Sequence, residues 1–124
     1  MSQHTTDREL LELAARAFGL SVHTWLDYSD DLRPDVRGSA IIERDDVLAF
    51  WNPLKDDGDA LRLAVKLGIL FLIDVQCGKV VKKTVVTDGK TKHEVNHDGD
   101  PYAATRRAIV LAAAEIGRSA GGAV

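Results

Sequence analysis

Apolar positions along the chain fall into two periods, and the switches between them mark the expected elements. Leu10, Leu13, Ala14, Ala17 and Phe18 recur at helical spacing. Thr6 and Glu9 form the S/T-x-x-E capping box that opens such a helix, and Gly19 suits its left-handed end. The spacing therefore predicts a helix over about 7–18. Val22, Thr24 and Leu26 alternate with His23 and Trp25 and read as a short strand within Ser21–Asp27. Residues 28–39, with Pro34 and Gly38, read as a polar loop. Ala40–Phe50 splits around the charged Glu43–Asp46 and reads as a loop plus one short strand. Trp51-Asn52-Pro53-Leu54 breaks it, and Asp59 is expected to cap a helix over Ala60–Leu67 that closes at Gly68.

Ile69–Val75 is almost wholly apolar and predicts a central strand buried on both faces, or the core strand of a helix-backed sheet. Val80–Thr87 and Thr91–Val95 then read as two further strands. Asp88-Gly89 between them is a type I′ hairpin signal. Asp100 caps a last helix with Pro101 in its first position, carrying Tyr102, Ile109, Val110, Ala113 and Ile116 inward. That helix is expected to stop at Gly117, with 119–124 frayed. Together these elements predict an α+β fold: an antiparallel sheet of three or more strands with about three helices packed on it.

Length and composition leave this picture intact. The chain has 124 residues, 45% of them apolar and 28% charged, enough for a single domain with its own core. Its longest strong apolar run, Ile69–Ile73, falls far short of a membrane span of about 20 residues. Asp7, Arg8, Glu9 and Glu12 make the start unlike a secretory signal. One cysteine, Cys77, excludes an intrachain disulfide and suits a reducing cytoplasm.

Charge is unevenly spread. Residues 1–75 hold 8 Lys/Arg against 14 Asp/Glu, whereas residues 76–97 hold 5 lysines against 2 acids. An acidic whole, at −3, argues against general nucleic-acid binding. The lysine cluster fits either a charged strand edge or a contact with an anionic partner.

His93-Glu94-Val95-Asn96-His97 spells the zinc-peptidase pattern, which needs both histidines on one helical turn. A segment between two Asp-Gly turns has no room for a helix. In a strand the histidines stand about 13 Å apart, too far for one zinc. Cys77 lacks a visible base, and there is no phosphate loop or serine elbow. Asp56, Asp57, Asp59, Asp98 and Asp100 lack the spacing of an oxygen cage. No complete catalytic set is visible, so the chain reads as a binding protein rather than an enzyme, and neither a metal nor a cofactor is expected.

Trp51 and Tyr102 each stand beside a loop that opens a helix, where outward N–H groups favour anions. With Asn52, Asp59, Arg62, Arg106, Arg107 and Lys82 they compose a candidate nucleotide site. In it rings would stack a base while cations and N–H groups hold phosphate. The two helix starts would have to converge, within one chain or across a symmetric dimer, and the chain is expected to self-associate. Asp56 and Asp57 would repel phosphate unless they cap their helix or point away. The alternative use of Trp51 and Tyr102 is as core anchors.

At Trp51-Asn52-Pro53, Asp59-Ala60 and Asp100-Pro101-Tyr102-Ala103-Ala104, and in the opening Thr6–Leu11, the chain resembles the phage NinX-like accessory proteins. It departs from their short forms in the lysine-rich hairpin between Val75 and Val95. The resemblance implies a phage origin, action in the infected bacterial cytoplasm and a dispensable role, and it transfers no catalytic residue. Two readings follow: sequestration of a nucleotide-like signal of the host, or a protein-interaction inhibitor that blocks a host defence protein.

Overall fold

The computed structural model describes residues 5–26, 36–75 and 82–121. The loop around Pro34, the turn Cys77–Lys79 and residues 122–124 lie outside them. Helix α1 spans Asp7–Phe18. Thr6 accepts from the Glu9 backbone N–H at 3.1 Å while the Glu9 carboxylate accepts from the Thr6 N–H at 2.8 Å. Strands β1 (Val22–Trp25), β2 (Ala40–Arg44) and β3 (Val47–Trp51) follow, then α2 (Asp57–Leu67). Strands β4 (Leu70–Val75), β5 (Lys82–Thr87) and β6 (Lys92–Asn96) precede the long α3 (Pro101–Gly121). Two antiparallel sheets form, ordered β1-β2-β3 and β4-β5-β6. The α+β class is as expected, with the strands divided between two sheets.

Ala40–Phe50 is not a loop with one strand. It is a hairpin in which Ala40 pairs with Trp51 and Arg44 with Val47. Asp45 (φ 53°) and Asp46 (φ 67°) supply the two left-handed residues of its two-residue loop, the type I′ geometry. Asp88-Gly89 is a different turn. Gly89 is left-handed at φ 97°, but Asp88 is not, and Thr87 pairs with Lys92 across a four-residue loop. The Asp88 carboxylate closes this loop by accepting from the N–H groups of Lys90 and Thr91 at 2.9 and 2.8 Å. Those backbone donors, Thr91 foremost, hold the Asp88 pKa below its ordinary value.

Helix α3 lies at the centre. It packs along α1, against α2 and across β5 and β6. Its buried residues include Ala104, Ala108, Ile109, Val110, Ala112, Ala113 and Ala114. So many alanines let neighbouring backbones come close on several sides. Asp100 caps it as expected, accepting from the Ala103 N–H at 3.0 Å. Gly117 does not end it. The helix runs on through Ser119 and Ala120 to Gly121, and Gly117 instead marks the closest approach to α1, where an added Cβ would collide with the Leu13 carbonyl oxygen. One apolar cluster joins Leu10 and Leu11 of α1, Ile42 of β2, Trp51 of β3, Leu63 of α2, Val86 of β5 and Ile109 of α3.

β4 is not central. It is an edge strand, with Leu70 at 69% and Leu72 at 67% exposure. Phe71 and Ile73 point to the groove at α2 and α3, and Leu70 and Leu72 point to the opposite face, which is open, so the apolar run has one helix-backed face rather than two buried ones.

Two measurements check these contacts. Gly117→Ala should lower the urea midpoint by an amount equivalent to at least about 2 kcal/mol, because a backbone carbonyl cannot rotate away as a side chain can. The Asp88 turn sets an acid dependence. Because its folded-state pKa is depressed, its contribution is complete above the unfolded value and vanishes as pH falls through the folded one. Asp88→Asn should therefore be less stable at neutral pH and lose less stability on acidification below the ordinary aspartate range.

Candidate functional site

The segment between β3 and α2 is organised by Asn52. Its side-chain oxygen accepts from the Leu54 N–H at 3.0 Å, and its backbone oxygen accepts from Lys55 and Asp56. This turns the chain sharply into α2. The helix begins at Asp57 and its N-cap is Asp56, whose carboxylate accepts from the Asp59 N–H at 2.8 Å. Asp59, expected to be the cap, is a buried residue of the first turn. One of its oxygens accepts from the Asn52 N–H at 2.9 Å. The other accepts from Arg62 Nη2 at 2.7 Å and lies 3.6 Å from Arg44 Nη2.

A polar cavity of about 410 Å³ opens over this carboxylate, lined by Ser39, Arg44, Phe50, Asn52, Lys55, Asp56, Asp59 and Arg62, with Val36 at its side. Asn52, Asp59 and Arg62 of the expected site thus come together. Arg44, Lys55 and Phe50 join them unannounced. Three cations face two carboxylates here, so the cavity carries one net positive charge at neutral pH. Asp59 takes one hydrogen bond from Arg62 and an ion pair from Arg44, Arg62 Nη2 also lies 4.0 Å from Asp56, and a guanidinium has five N–H donors, so both arginines keep donors for a ligand. Lys55 donates one hydrogen bond to the Arg37 carbonyl at 3.0 Å.

The acidic loop does not oppose an anion as its sequence suggests. Asp57 is drawn to the other side by Arg106 Nη1 at 2.7 Å, and Asp56, although it lines the cavity, is engaged as the cap of α2 and lies 4.0 Å from Arg62 Nη2. The remaining expected residues lie elsewhere. Trp51 is 1% exposed and serves the core, so its ring offers no stacking face. Tyr102 is 70% exposed but stands on a separate apolar groove with Leu61, Phe71, Ile73 and Arg106. Arg106 also donates from Nε to the Leu54 carbonyl at 2.8 Å, and Arg107 pairs with Asp7 of α1 at 2.9 Å. These two arginines hold elements together. Lys82 pairs with Val75 at the far end of the β4–β5 ladder, and its side chain lies outside the described residues. The starts of α2 and α3 do converge, through Arg106, but on a structural ion pair.

The pentapeptide His93–His97 forms β6 and the residue after it, not a helix. His97 is buried with Nε2 2.9 Å from the Thr84 hydroxyl, which lies 2.8 Å from the Thr105 hydroxyl of α3. Among the described residues no group of three or more His, Cys, Asp or Glu side chains is placed to hold a metal ion. None of the described helices is long and apolar enough to cross a membrane. No protein-family model matches the chain, and no curated protein or solved structure matches it significantly.

Removing the buried carboxylate tests this architecture. Asp59→Ala leaves the buried Asn52 N–H without its acceptor and two arginines without their shared partner, and should cost about 2–4 kcal/mol in urea unfolding. Asp59→Asn, which retains an acceptor for the Asn52 N–H, should cost less.

Proposed function

We propose that the protein binds a small anionic ligand of nucleotide type in the polar cavity between the first sheet and α2. The observation that carries the reading is the convergence of Arg44, Lys55 and Arg62 on one cavity with Phe50 at its wall and the start of α2 beneath. Guanidinium groups match phosphate oxygens in pairs, helix N–H groups add positive potential, and an exposed ring gives a base a face. A volume of about 410 Å³ lies in the range of small-ligand pockets, roughly 300–1,000 Å³. Asp59 fixes both arginines before a ligand arrives, which lowers the ordering cost of binding.

Taken with the resemblance to NinX-like proteins, the reading is of a phage accessory protein. It sequesters a nucleotide signal in the infected bacterial cytoplasm, without chemistry, and so antagonises a host process such as immunity. The second reading, a protein that blocks a host defence protein, is favoured by one observation of its own: the exposed apolar groove beside Tyr102.

Thermal unfolding with a panel of mono-, di- and cyclic nucleotides tests the choice. At least one should raise the melting temperature, since a ligand specific for the folded state stabilises it. Arg44→Gln should weaken that ligand at least tenfold, and Tyr102→Ser should leave it unchanged. A flat response across the panel, with a host protein recovered stoichiometrically on the intact chain but not on Tyr102→Ser, would replace the first reading by the second.

A further inference from the structure

The arginines of the polar cavity are already shared with carboxylates. Arg62 Nη2 stands between two of them, Asp59 at 2.7 Å and Asp56 at 4.0 Å. Its guanidinium lies over the first turn of α2, where a Cβ on Gly58 would meet both Nη atoms at 3.4 Å. Arg44 Nη2 approaches the same oxygen of Asp59 at 3.6 Å. Lys55 has a neutral partner, the Arg37 carbonyl at 3.0 Å. Neither acid is free to leave: Asp56 caps α2, and Asp59 accepts from the buried Asn52 N–H. The turn beyond Arg44 is Asp45-Asp46 and adds no further cation. The lining therefore holds a fixed surplus of one positive charge, from Arg44, Lys55 and Arg62 against Asp56 and Asp59.

We propose that the group this cavity selects is a phosphodiester, in preference to a terminal phosphate; the proposal rests on the reading of the cavity as a nucleotide site. A diester carries one negative charge at neutral pH. A terminal phosphate, with a second pKa of about 6, carries nearly two. One charge balances the surplus. A second has no cation left to meet it and faces two carboxylates that cannot withdraw. Such repulsion is strongest where water is excluded, and Asp59 is 4% exposed.

The donor geometry agrees with the charge. Because Arg44 Nη2 and Arg62 Nη2 converge on one oxygen, they lie within about 6.3 Å of each other. A diester has two non-bridging oxygens, one for each guanidinium. The diester belongs either to a ring closed on one sugar or to a link between two nucleosides, and both present the same group.

Isothermal titration of the intact chain near neutral pH tests the proposal with matched pairs. Each nucleoside 5′-monophosphate is set against its 3′,5′-cyclic form, for adenine, guanine, cytosine and uracil. For the base that binds best, the cyclic diester should bind at least tenfold more tightly. The 3′,5′-linked dinucleoside monophosphate of that base separates the two sources. Equal affinity assigns any diester link, and no binding assigns the closed ring. Asp56→Asn keeps a capping side chain and adds one to the net charge, so it should strengthen the 5′-monophosphate and shrink the preference at least threefold. A 5′-monophosphate bound as tightly as its cyclic form would overturn this proposal and leave the nucleotide reading standing. So would a preference that Asp56→Asn leaves unchanged. No binding by any of these nucleotides would overturn both.

Discussion

The Asp59 carboxylate is the contact on which the site depends. It is buried, and a buried carboxylate is tolerable only when its oxygens are saturated by donors. Here the hydrogen bonds come from the Asn52 backbone after β3 and from Arg62 on the next turn of α2, and Arg44 at the end of β2 adds an ion pair at 3.6 Å. Satisfying one charge therefore fixes the angle between the first sheet and α2 and aims two guanidinium groups at the same opening. The Asp45-Asp46 turn contributes indirectly, because its tight geometry ends β2 at Arg44 and leaves that side chain beside the cavity.

The second sheet is held by different physics. Its attachment to α3 is mostly apolar, through Val86 and the alanine-rich helix, with one buried polar link from Thr84 to His97 and Thr105. Small side chains on α3 bring α1 close enough that Gly117 admits no Cβ. Close backbone approach of this kind fixes helix positions without filling every face. Among the described residues, covering runs out on the outer face of β4, where Leu70 and Leu72 are exposed.

Local chemistry was legible in the sequence wherever a side chain acts on its own neighbours. The Thr6–Glu9 box, the Asp100 cap and the closing glycines 19 and 68 need only nearby backbone, and the structure has them. Where the outcome depends on distant packing, the pattern was ambiguous. Phe50 and Trp51 are adjacent aromatics on one strand, so only one can face the core, and period two alone does not say which. An unbroken apolar run such as Leu70–Ile73 is shared by central strands and by edge strands backed by helices on one face only. Asp56 and Asp59 both satisfy the chemistry of a cap. The choice fell to the residue three before the first N–H it could reach, and Asn52 and the arginines then claimed the other. Arg44 sat within a charged stretch that looked like a spacer. Its signal was the Asp-Asp pair after it, two residues that tolerate left-handed conformation between two β-type runs.

Helix α2 brings these surfaces together. Leu61 and Arg62 are one residue apart, which on an α-helix is a rotation of about 100°. That step carries the surface from the apolar groove at Leu61 to the cationic cavity at Arg62. Asp57, at the start of the same helix, is pulled by Arg106 towards the groove, while Asp56 caps the helix at the rim of the cavity. The helix start thus divides its acidic residues. One carboxylate is spent on the link to α3, one on the cap and one on orienting cations. Of the four charged side chains in Asp56–Asp59 and Arg62, only the arginine retains donors directed at solvent in the cavity. A sequence that is acidic on paper presents a basic opening, because every carboxylate near it already has a partner.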